Sequence, residues 1–236
     1  MGRIFEKRKY KMFARYDRMA KSFTKIGREI AIAVKAGGPD ASYNPRLRFA
    51  IQNAKGVNMP KDRIDAAIKR AVSKESGTFE EVLYEGYGPH GIALLVECAT
   101  DNPNRTIANL RHIFRDGAGT IGNSGSVAFM FERKGVFKVA LDRIPDADGF
   151  ELEFIDHGLE EFERHEDEYV LTTHFEDFGR LQKALEDAKV EPKSSELHYL
   201  PTTTKELPED HAKQVLELIE SLEADDDVQS VYHTLH

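Results

Sequence analysis

The sequence has little of what several protein classes require: its 236 residues include one cysteine, no tryptophan and no long apolar run. A single cysteine cannot form an intrachain disulfide. Cys98 ends the apolar stretch 92–98, so we expect a buried strand thiol in a reducing compartment. The longest uninterrupted apolar run that we find, 92–96, is far shorter than the roughly 20 residues that a membrane helix needs. These absences argue against a disulfide framework and against a membrane-spanning segment.

The first residues lack the pattern of a secretory signal. Lys7, Arg8 and Lys9 lead into more charge, whereas a signal peptide continues into an apolar run. The first 30 residues are basic and poor in acid, as mitochondrial presequences also are, so that class stays open. We expect a soluble, cytoplasmic protein.

Charge is distributed unevenly along the chain. The whole chain has 33 basic and 41 acidic residues, a formal net charge of −8. Residues 1–78 contain 19 Lys and Arg against 7 Asp and Glu, a net charge of +12, which leaves −20 for the remainder. A cluster of positive charge is the electrostatic signature of a polyanion-binding surface. The segment counts therefore predict where nucleic acid would bind, although the acidic total suggests the opposite.

The basic segment has helical periodicity. Apolar side chains at helical spacing predict helices over 22–34 and 45–55, and a third that Asn58 caps with Pro60 in its first turn. Glycines that follow the first two helices are typical stop signals. Whether the first helix extends to the N-terminal side of Ser22 stays open, because a free basic arm would have the same charges. Residues 1–78 are thus predicted to form an all-helical basic domain.

Beyond Phe79 the pattern changes to strands. Two strands within 81–98, a helix from Pro103 to Gly117 and a strand over 126–131 give the order β-β-α-β. Residues 136–200 then have the order β-α-β-β-α-β, which is the ferredoxin-like arrangement. A helix over 208–222 and a strand over 228–233 are too few to form a domain. We therefore infer that they complete the first sheet and that the ferredoxin-like unit is an insertion.

The predicted fold class is α+β with three domains. An N-terminal three-helix domain spans 1–78, and a discontinuous α/β sheet domain comprises 79–131 and 206–236. An inserted acidic ferredoxin-like (split βαβ) domain spans 132–205. The breaks in net charge coincide with these boundaries.

Basic residues recur at helical spacing near the N-terminus. Seven positions between Lys7 and Arg28 follow one another at steps of three or four, which places them on one face of a helix. Only Glu6 and Asp17 offset ten positive charges in residues 1–28, whereas ordinary solvated faces have both signs. We predict that this face binds double-stranded DNA or ribosomal RNA; the alternative is a solvated face on a core helix. The predicted nucleic-acid-binding residues are Lys7, Arg8, Lys9, Lys11, Arg15, Arg18, Lys21, Lys25, Arg28, Lys55, Lys61 and Arg63.

Three other motifs have structural interpretations. The segment 117–122 matches G-x-G-x-x-G, but it follows a helix, whereas a dinucleotide loop follows a strand, so we interpret it as a helix end and connection. The polar segment 101–105 could hold a catalytic pair, yet capping by Asn102 explains most of it. The acidic segment 225–227 lacks the Gly and the distal Glu of a calcium loop and is interpreted as a solvated turn. We expect no catalytic residue, no metal and no cofactor.

Nine short segments spread over nearly the whole chain have a family likeness. They are 23–30, 58–61, 84–91, 101–107, 111–114, 125–127, 131–135, 225–229 and 231–233. In this order they closely resemble the YebC/PmpR family. The resemblance implies a three-domain α+β fold and a cytoplasmic transcriptional regulator that binds DNA.

The resemblance also implies an alternative role. Relatives that include a mitochondrial translational activator of cytochrome c oxidase are described as acting with the ribosome, notably on proline-rich stretches. Typical members begin with a Gly-His-Ser-Lys-Trp arm, whereas this chain begins Met-Gly-Arg-Ile-Phe. Contacts that depend on that arm are therefore not carried over to this chain.

Overall fold

The structure is a computed structural model that describes the backbone of residues 3–73 and 78–236, and the side chains of residues 19–73 and 78–236. Three helices come first: α1 (Arg3–Gly37), α2 (Pro45–Gly56) and α3 (Lys61–Val72). The first helix therefore begins well before Ser22, which answers the question that its sequence left open. Ile30, Leu47 and Ala54 are fully buried where the three helices pack together.

The caps of these helices explain their bounds. The Asn44 side chain accepts a hydrogen bond from the Leu47 amide at 3.0 Å, and Pro45 occupies the first turn of α2. The predicted cap at Asn58 is wrong, because α3 begins at Lys61. Asn58 instead adopts a left-handed conformation, and its amide donates to the Lys55 carbonyl, so it closes the end of α2.

Two antiparallel sheets make up the rest of the molecule, and their elements follow the helices in chain order. These elements are β1 (Glu80–Tyr87), β2 (Ala93–Thr100), α4 (Pro103–Asp116), β3 (Thr120–Ile121), β4 (Phe131–Ala140), α5 (Ala147–Ile155), β5 (Leu159–His165), β6 (Glu168–His174), α6 (Phe178–Asp187), β7 (Ser194–Pro201), α7 (Glu209–Glu223) and β8 (Val228–His233). The first sheet has the order β3-β1-β2-β8, and the second has the order β5-β6-β4-β7. The α+β fold class is confirmed.

The first sheet is built from distant parts of the chain. β8 pairs with β2, and α7 packs with α4 over a core that includes Leu94, Phe114 and Leu218. The predicted third strand over 126–131 is wrong. Residues 128–130 form a short 3-10 turn, and Phe131 begins β4 of the second sheet.

The second sheet has the strand order of a ferredoxin-like unit, with β4 and β6 in the centre and every neighbouring pair antiparallel. Phe137 and Leu171 of the sheet and Leu181 of α6 are fully buried between the sheet and the helices α5 and α6. β7 is the edge strand next to α2, and the Asn53 side chain pairs with both backbone groups of Ser195 there. The division into domains at 79, 132 and 206 stays a prediction. No helix in the described ranges is both long and apolar enough to cross a membrane.

Candidate nucleic-acid interface

Four of the predicted nucleic-acid-binding residues lie on the exposed surface of the N-terminal helices. Lys21 is on α1, Lys55 is near the end of α2, and Lys61 and Arg63 are in the first turn of α3. Within the part of the chain that the structure describes, none of the four has an acidic partner at ion-pair distance. Their charges are therefore available to an external anion.

Two further predicted residues face the first sheet. The Lys25 ammonium donates a hydrogen bond to the Gln229 carbonyl at 3.0 Å, and burial lowers its pKa. The Arg28 guanidinium donates to the Ala99 carbonyl at 2.8 Å and to the Asp227 carboxylate at 2.9 Å. Both cations thus already have partners within the chain, and their assignment to nucleic acid stays a prediction.

The remaining six predicted residues are on the N-terminal half of α1. The backbone of α1 is helical from Arg3, so residues spaced by three and four lie on one face of the helix. The side chains of these six lie outside the described residues. They are Lys7, Arg8, Lys9, Lys11, Arg15 and Arg18.

Asp227 is the centre of a polar cluster that the sequence did not reveal. The Asp227 side chain is 5% exposed, and its carboxylate pairs with Arg28 of α1 at 2.9 Å and with Arg105 of α4 at 3.0 Å. The Thr106 hydroxyl donates to it at 2.7 Å. Burial alone would raise the pKa of Asp227, but the hydrogen bonds of Thr106 and Arg105 and the nearby Arg28 charge lower it.

The interpretation of 225–227 as a solvated turn is therefore wrong for Asp227. The turn folds under the N-terminus of α4, and the two guanidinium groups with the Thr106 hydroxyl offset the cost of burying the carboxylate. Its partners are 199 and 122 positions away in the sequence, so no local spacing signals them. The only indication was that 101–107 and 225–229 are both among the segments that resemble one family.

The segment 101–105 is occupied in structural contacts. Arg105 pairs with Asp101 at 2.9 Å as well as with Asp227, and the Asn102 side chain accepts a hydrogen bond from the Arg105 amide at 3.2 Å. The Asn102 contact is the cap that the sequence predicted, whereas the two ion pairs of Arg105 were not predicted. In the described ranges, no group of His, Cys, Asp and Glu side chains is arranged to hold a metal ion.

The glycine-rich segment 117–125 follows α4 and contains β3. Gly117 caps the end of α4, as its sequence indicated, whereas residues 120–121 pair with β1 and are not a simple connection. A Cβ atom on Gly119 would lie 2.7 Å from the Tyr87 carbonyl oxygen, so close packing explains that glycine. The buried Glu85 carboxylate accepts hydrogen bonds from the amides of Gly125, Val127 and Ala128 at 2.6–2.7 Å. These three hydrogen bonds hold residues 125–128 in a turn around the Glu85 carboxylate, which explains why 126–131 does not form the predicted strand.

A cavity of about 180 Å³ lies where the N-terminal helices meet both sheets. Each of these three parts contributes a carboxylate to its lining: Glu29 from α1, Glu97 from β2 and Glu196 from β7. Burial, with the charges of Glu196 and Glu97, raises the pKa of Glu29 to about 7. The junction therefore contains a carboxyl group that titrates near neutral pH.

Comparison with known proteins identifies related chains over the full length. The family model described as TACO1/YebC protein N-terminal domain matches residues 3–74, and the model described as TACO1/YebC second and third domain matches residues 79–235. Probable transcriptional regulatory proteins of Anaeromyxobacter dehalogenans (strain 2CP-C) and Myxococcus xanthus (strain DK1622) are each 53% identical over 240 residues, with 100% of both chains covered. One from Flavobacterium johnsoniae is 50% identical over 235 residues, covering 100% of this chain and 99% of the relative.

A solved structure has the same fold. The crystal structure of a conserved hypothetical protein from Aquifex aeolicus superposes with a TM-score of 0.82 at 37% sequence identity. The match covers 92% of this chain and 90% of that chain. The arrangement of helices and sheets described above is thus also present in a crystal structure.

Proposed function

The chain belongs to the TACO1/YebC family, and from this premise we propose that it is a non-enzymatic transcriptional regulator that binds double-stranded DNA through its basic N-terminal helical domain. Relatives with about half of their residues identical are named probable transcriptional regulatory proteins. The observation that supports DNA binding is the charge distribution. Exposed cations without described acidic partners occupy the N-terminal helices, while the rest of the chain has a net charge of −20.

The contacts should be mainly to phosphate. No recognition-helix motif is evident, and lysine and arginine side chains on helices reach the DNA backbone without reading bases. The basic positions 7–21 on α1, which exclude the engaged Lys25 and Arg28, span about 21 Å at 1.5 Å per residue, more than half of the roughly 34 Å of one duplex turn. With about six phosphate contacts, the logarithm of the association constant should fall against the logarithm of salt concentration with a slope near −5.

Charge reversal on the N-terminal helices tests this proposal. In the triple variant Lys21→Glu, Lys61→Glu and Arg63→Glu, we expect the affinity for a fluorescein-labelled duplex of about 30 base pairs to fall more than about tenfold. The salt slope should become less steep by about 3, because about three phosphate contacts are lost. Fluorescence anisotropy at several salt concentrations measures both quantities.

A matched control uses exposed cations of the acidic part. Arg164→Glu, Lys183→Glu and Lys213→Glu together change the net charge of the chain by the same amount. This control should change the duplex affinity less than about threefold, since these residues lie outside the proposed interface. Equal losses in the two triple variants would contradict an interface on the N-terminal helices.

A second candidate function is a ribosome-associated translation factor, a translational activator that acts at proline-rich stretches. The observation that favours it is the segment around Glu85, where Asn123, Ser124 and Gly125 are exposed and the Phe129 ring is 75% exposed. A loop held in one conformation with an exposed ring is suited to contact RNA by stacking. Sedimentation of cell extract through a sucrose gradient at low salt tests this candidate, and absence of the protein from ribosomal fractions would contradict it.

A further inference from the structure

A groove of about 1000 Å³ runs between α1 and α3 and ends near Phe79. The residues that line it are mostly small or apolar, and they include larger side chains such as Phe23 and Met59. The small residues allow a ligand to approach both helix backbones closely. They are Ala20, Gly27 and Ala31 on α1 and Ala66, Ala67 and Ala71 on α3.

The charged groups of this groove have one sign. Among the described residues that line it, the charged ones are Arg28, Arg63 and Arg70. Arg63 and Arg70 are exposed, lie seven residues apart on α3 and so follow one another along one face, about 10 Å apart. Neither has an acidic partner at ion-pair distance within the described ranges. Arg28 lies 5.2 Å from the centre of the Phe79 ring and is already paired with Asp227.

An apolar groove edged by unpaired guanidinium groups does not match the needs of a duplex. Duplex binding depends mainly on Lys and Arg contacts to phosphate, and a duplex hides the faces of its bases, so it has no use for apolar walls. Unpaired nucleotides expose both an apolar base face and a phosphate, and proteins bind them with aromatic rings and arginine planes in positively charged grooves. The rings of Phe23 and Phe79 and the guanidinium groups of Arg63 and Arg70 supply these groups.

We propose that the groove between α1 and α3 binds unpaired nucleotides of a single-stranded nucleic acid. The proposal deepens the proposed function and rests on it, because the same helices are the proposed nucleic-acid interface. It adds that a single-stranded segment, such as a loop or an opened duplex, is bound more tightly than a closed duplex. The arginines hold the phosphates, and the apolar walls hold the base faces.

Binding of single strands and duplex to the full chain tests this inference. The probes are fluorescein-labelled 12-nucleotide oligo-U and oligo-dT and a 12-base-pair duplex, each measured by anisotropy in 0.1 M salt. We expect both single strands to bind at least about fivefold tighter than the duplex, since stacking of even one base contributes that much. A preference for oligo-U over oligo-dT identifies RNA as the source of the nucleotides, and the reverse identifies DNA.

Two neighbouring residues of α3 provide a matched pair of variants. Arg70→Gln and Lys69→Gln each remove one positive charge from an exposed position, but only Arg70 lines the groove. We expect Arg70→Gln to weaken single-strand binding about five- to tenfold and Lys69→Gln to weaken it less than twofold. Ala66→Leu fills the groove without changing charge and with little change in helix propensity, so it should weaken single-strand binding and leave duplex binding unchanged.

The outcomes separate this inference from the proposed function. Equal affinities for single strand and duplex, with equal effects of Arg70→Gln and Lys69→Gln, would overturn the groove and leave duplex binding intact. If the groove instead binds a second copy of the chain, light scattering should show that the wild type self-associates and that Arg70→Gln does not. Self-association of this kind, with no effect of Arg70→Gln on oligonucleotide affinity, would also overturn the inference. Failure of every probe to bind at 0.05 M salt would overturn the proposed function itself. Thermal unfolding of each variant checks that it is folded.

Discussion

Asp227 joins the N-terminal helices to the first sheet through Arg28 of α1, and it also pairs with Arg105 of α4 on that sheet. Replacing it with Asn leaves the Arg28 side chain, which is only 14% exposed, without a counter-ion. We expect Asp227→Asn to lower the free energy of unfolding by about 2–4 kcal/mol. Asp226→Asn is the control, because the Asp226 side chain is exposed and only its carbonyl contacts Arg28. Urea unfolding near neutral pH measures both changes, and equal stabilities of the two variants would contradict this role.

The Asp227 contribution should also depend on pH. Its folded-state pKa is lowered, so the stabilisation is present above the unfolded pKa and is lost as the pH falls through the folded pKa. The difference between wild type and Asp227→Asn should therefore shrink in acid. A difference that stays constant down to about pH 2 would indicate that the side chain acts through its shape and not through its charge.

Glu29 has the opposite dependence, because its pKa is raised to about 7 in the folded chain. At pH values between the unfolded pKa and about 7, Glu29 is protonated in the folded chain and ionised in the unfolded chain. The free energy of unfolding therefore falls as the pH rises through that range. We expect Glu29→Gln to be more stable than wild type by about 1–3 kcal/mol at pH 8 and nearly equal to it at pH 5.

Urea unfolding at the two pH values measures the Glu29 effect. Glu80→Gln, which removes an exposed carboxylate at the start of β1, should show no such difference. A gain from Glu29→Gln that is the same at pH 5 and pH 8 would show that titration of Glu29 is not its cause.

At the level of structural elements, the conformation of the segment between β3 and β4 depends on a single carboxylate, that of Glu85. Glu85 accepts three backbone hydrogen bonds from this segment, and these offset the cost of burying the carboxylate, so the pKa of Glu85 is lowered. Gln offers one acceptor oxygen where the carboxylate offers two, and its amide group would face backbone donors. In Glu85→Gln we expect faster hydrogen exchange at the amides of Gly125, Val127 and Ala128, by about tenfold or more.

Hydrogen exchange with residue resolution measures this change. The amides of β6 serve as an internal reference, because β6 belongs to the second sheet and pairs with β4 and β5, whereas Glu85 is on β1 of the first sheet. Unchanged exchange at the three amides would mean that the turn itself, without the carboxylate, determines the conformation of the segment.

The elements differ in how far the sequence predicted them. β8 has the predicted bounds, and α2 differs by one residue, because period, caps and glycines are local signals. The predicted strand over 126–131 failed because Glu85, about 40 positions earlier, organises that segment. Asp227 was missed for the same reason. Local pattern thus predicts elements well, and contacts between distant polar groups determine the exceptions.

At the scale of the whole molecule, the two sheets differ in their dependence on the C-terminal segment. β8 supplies an edge of the first sheet, whereas the buried core of the second sheet lies within 137–190. A chain that ends at residue 226 lacks β8 and Asp227. We expect it to lose hydrogen-exchange protection in β1 and β2 and to keep it in β4 and β6.

Mass spectrometry of exchanged peptides measures both regions in one experiment. Full-length chain under the same conditions is the control. Loss of protection in both sheets would show that the second sheet needs the first, and protection in both would show that β8 contributes little to the first.

The pairing of β2 with β8 also determines the order in which the two sheets can fold during synthesis. Leu94 pairs with His233, so about 140 residues must be added after β2 is made before its neighbour exists. At about 5–20 residues per second, β2 then has an unpaired edge for roughly 7–28 s. The second sheet is complete earlier, by residue 201. The basic helices are synthesised first, so they can bind a polyanion before Asp227 has been synthesised and can pair with Arg28.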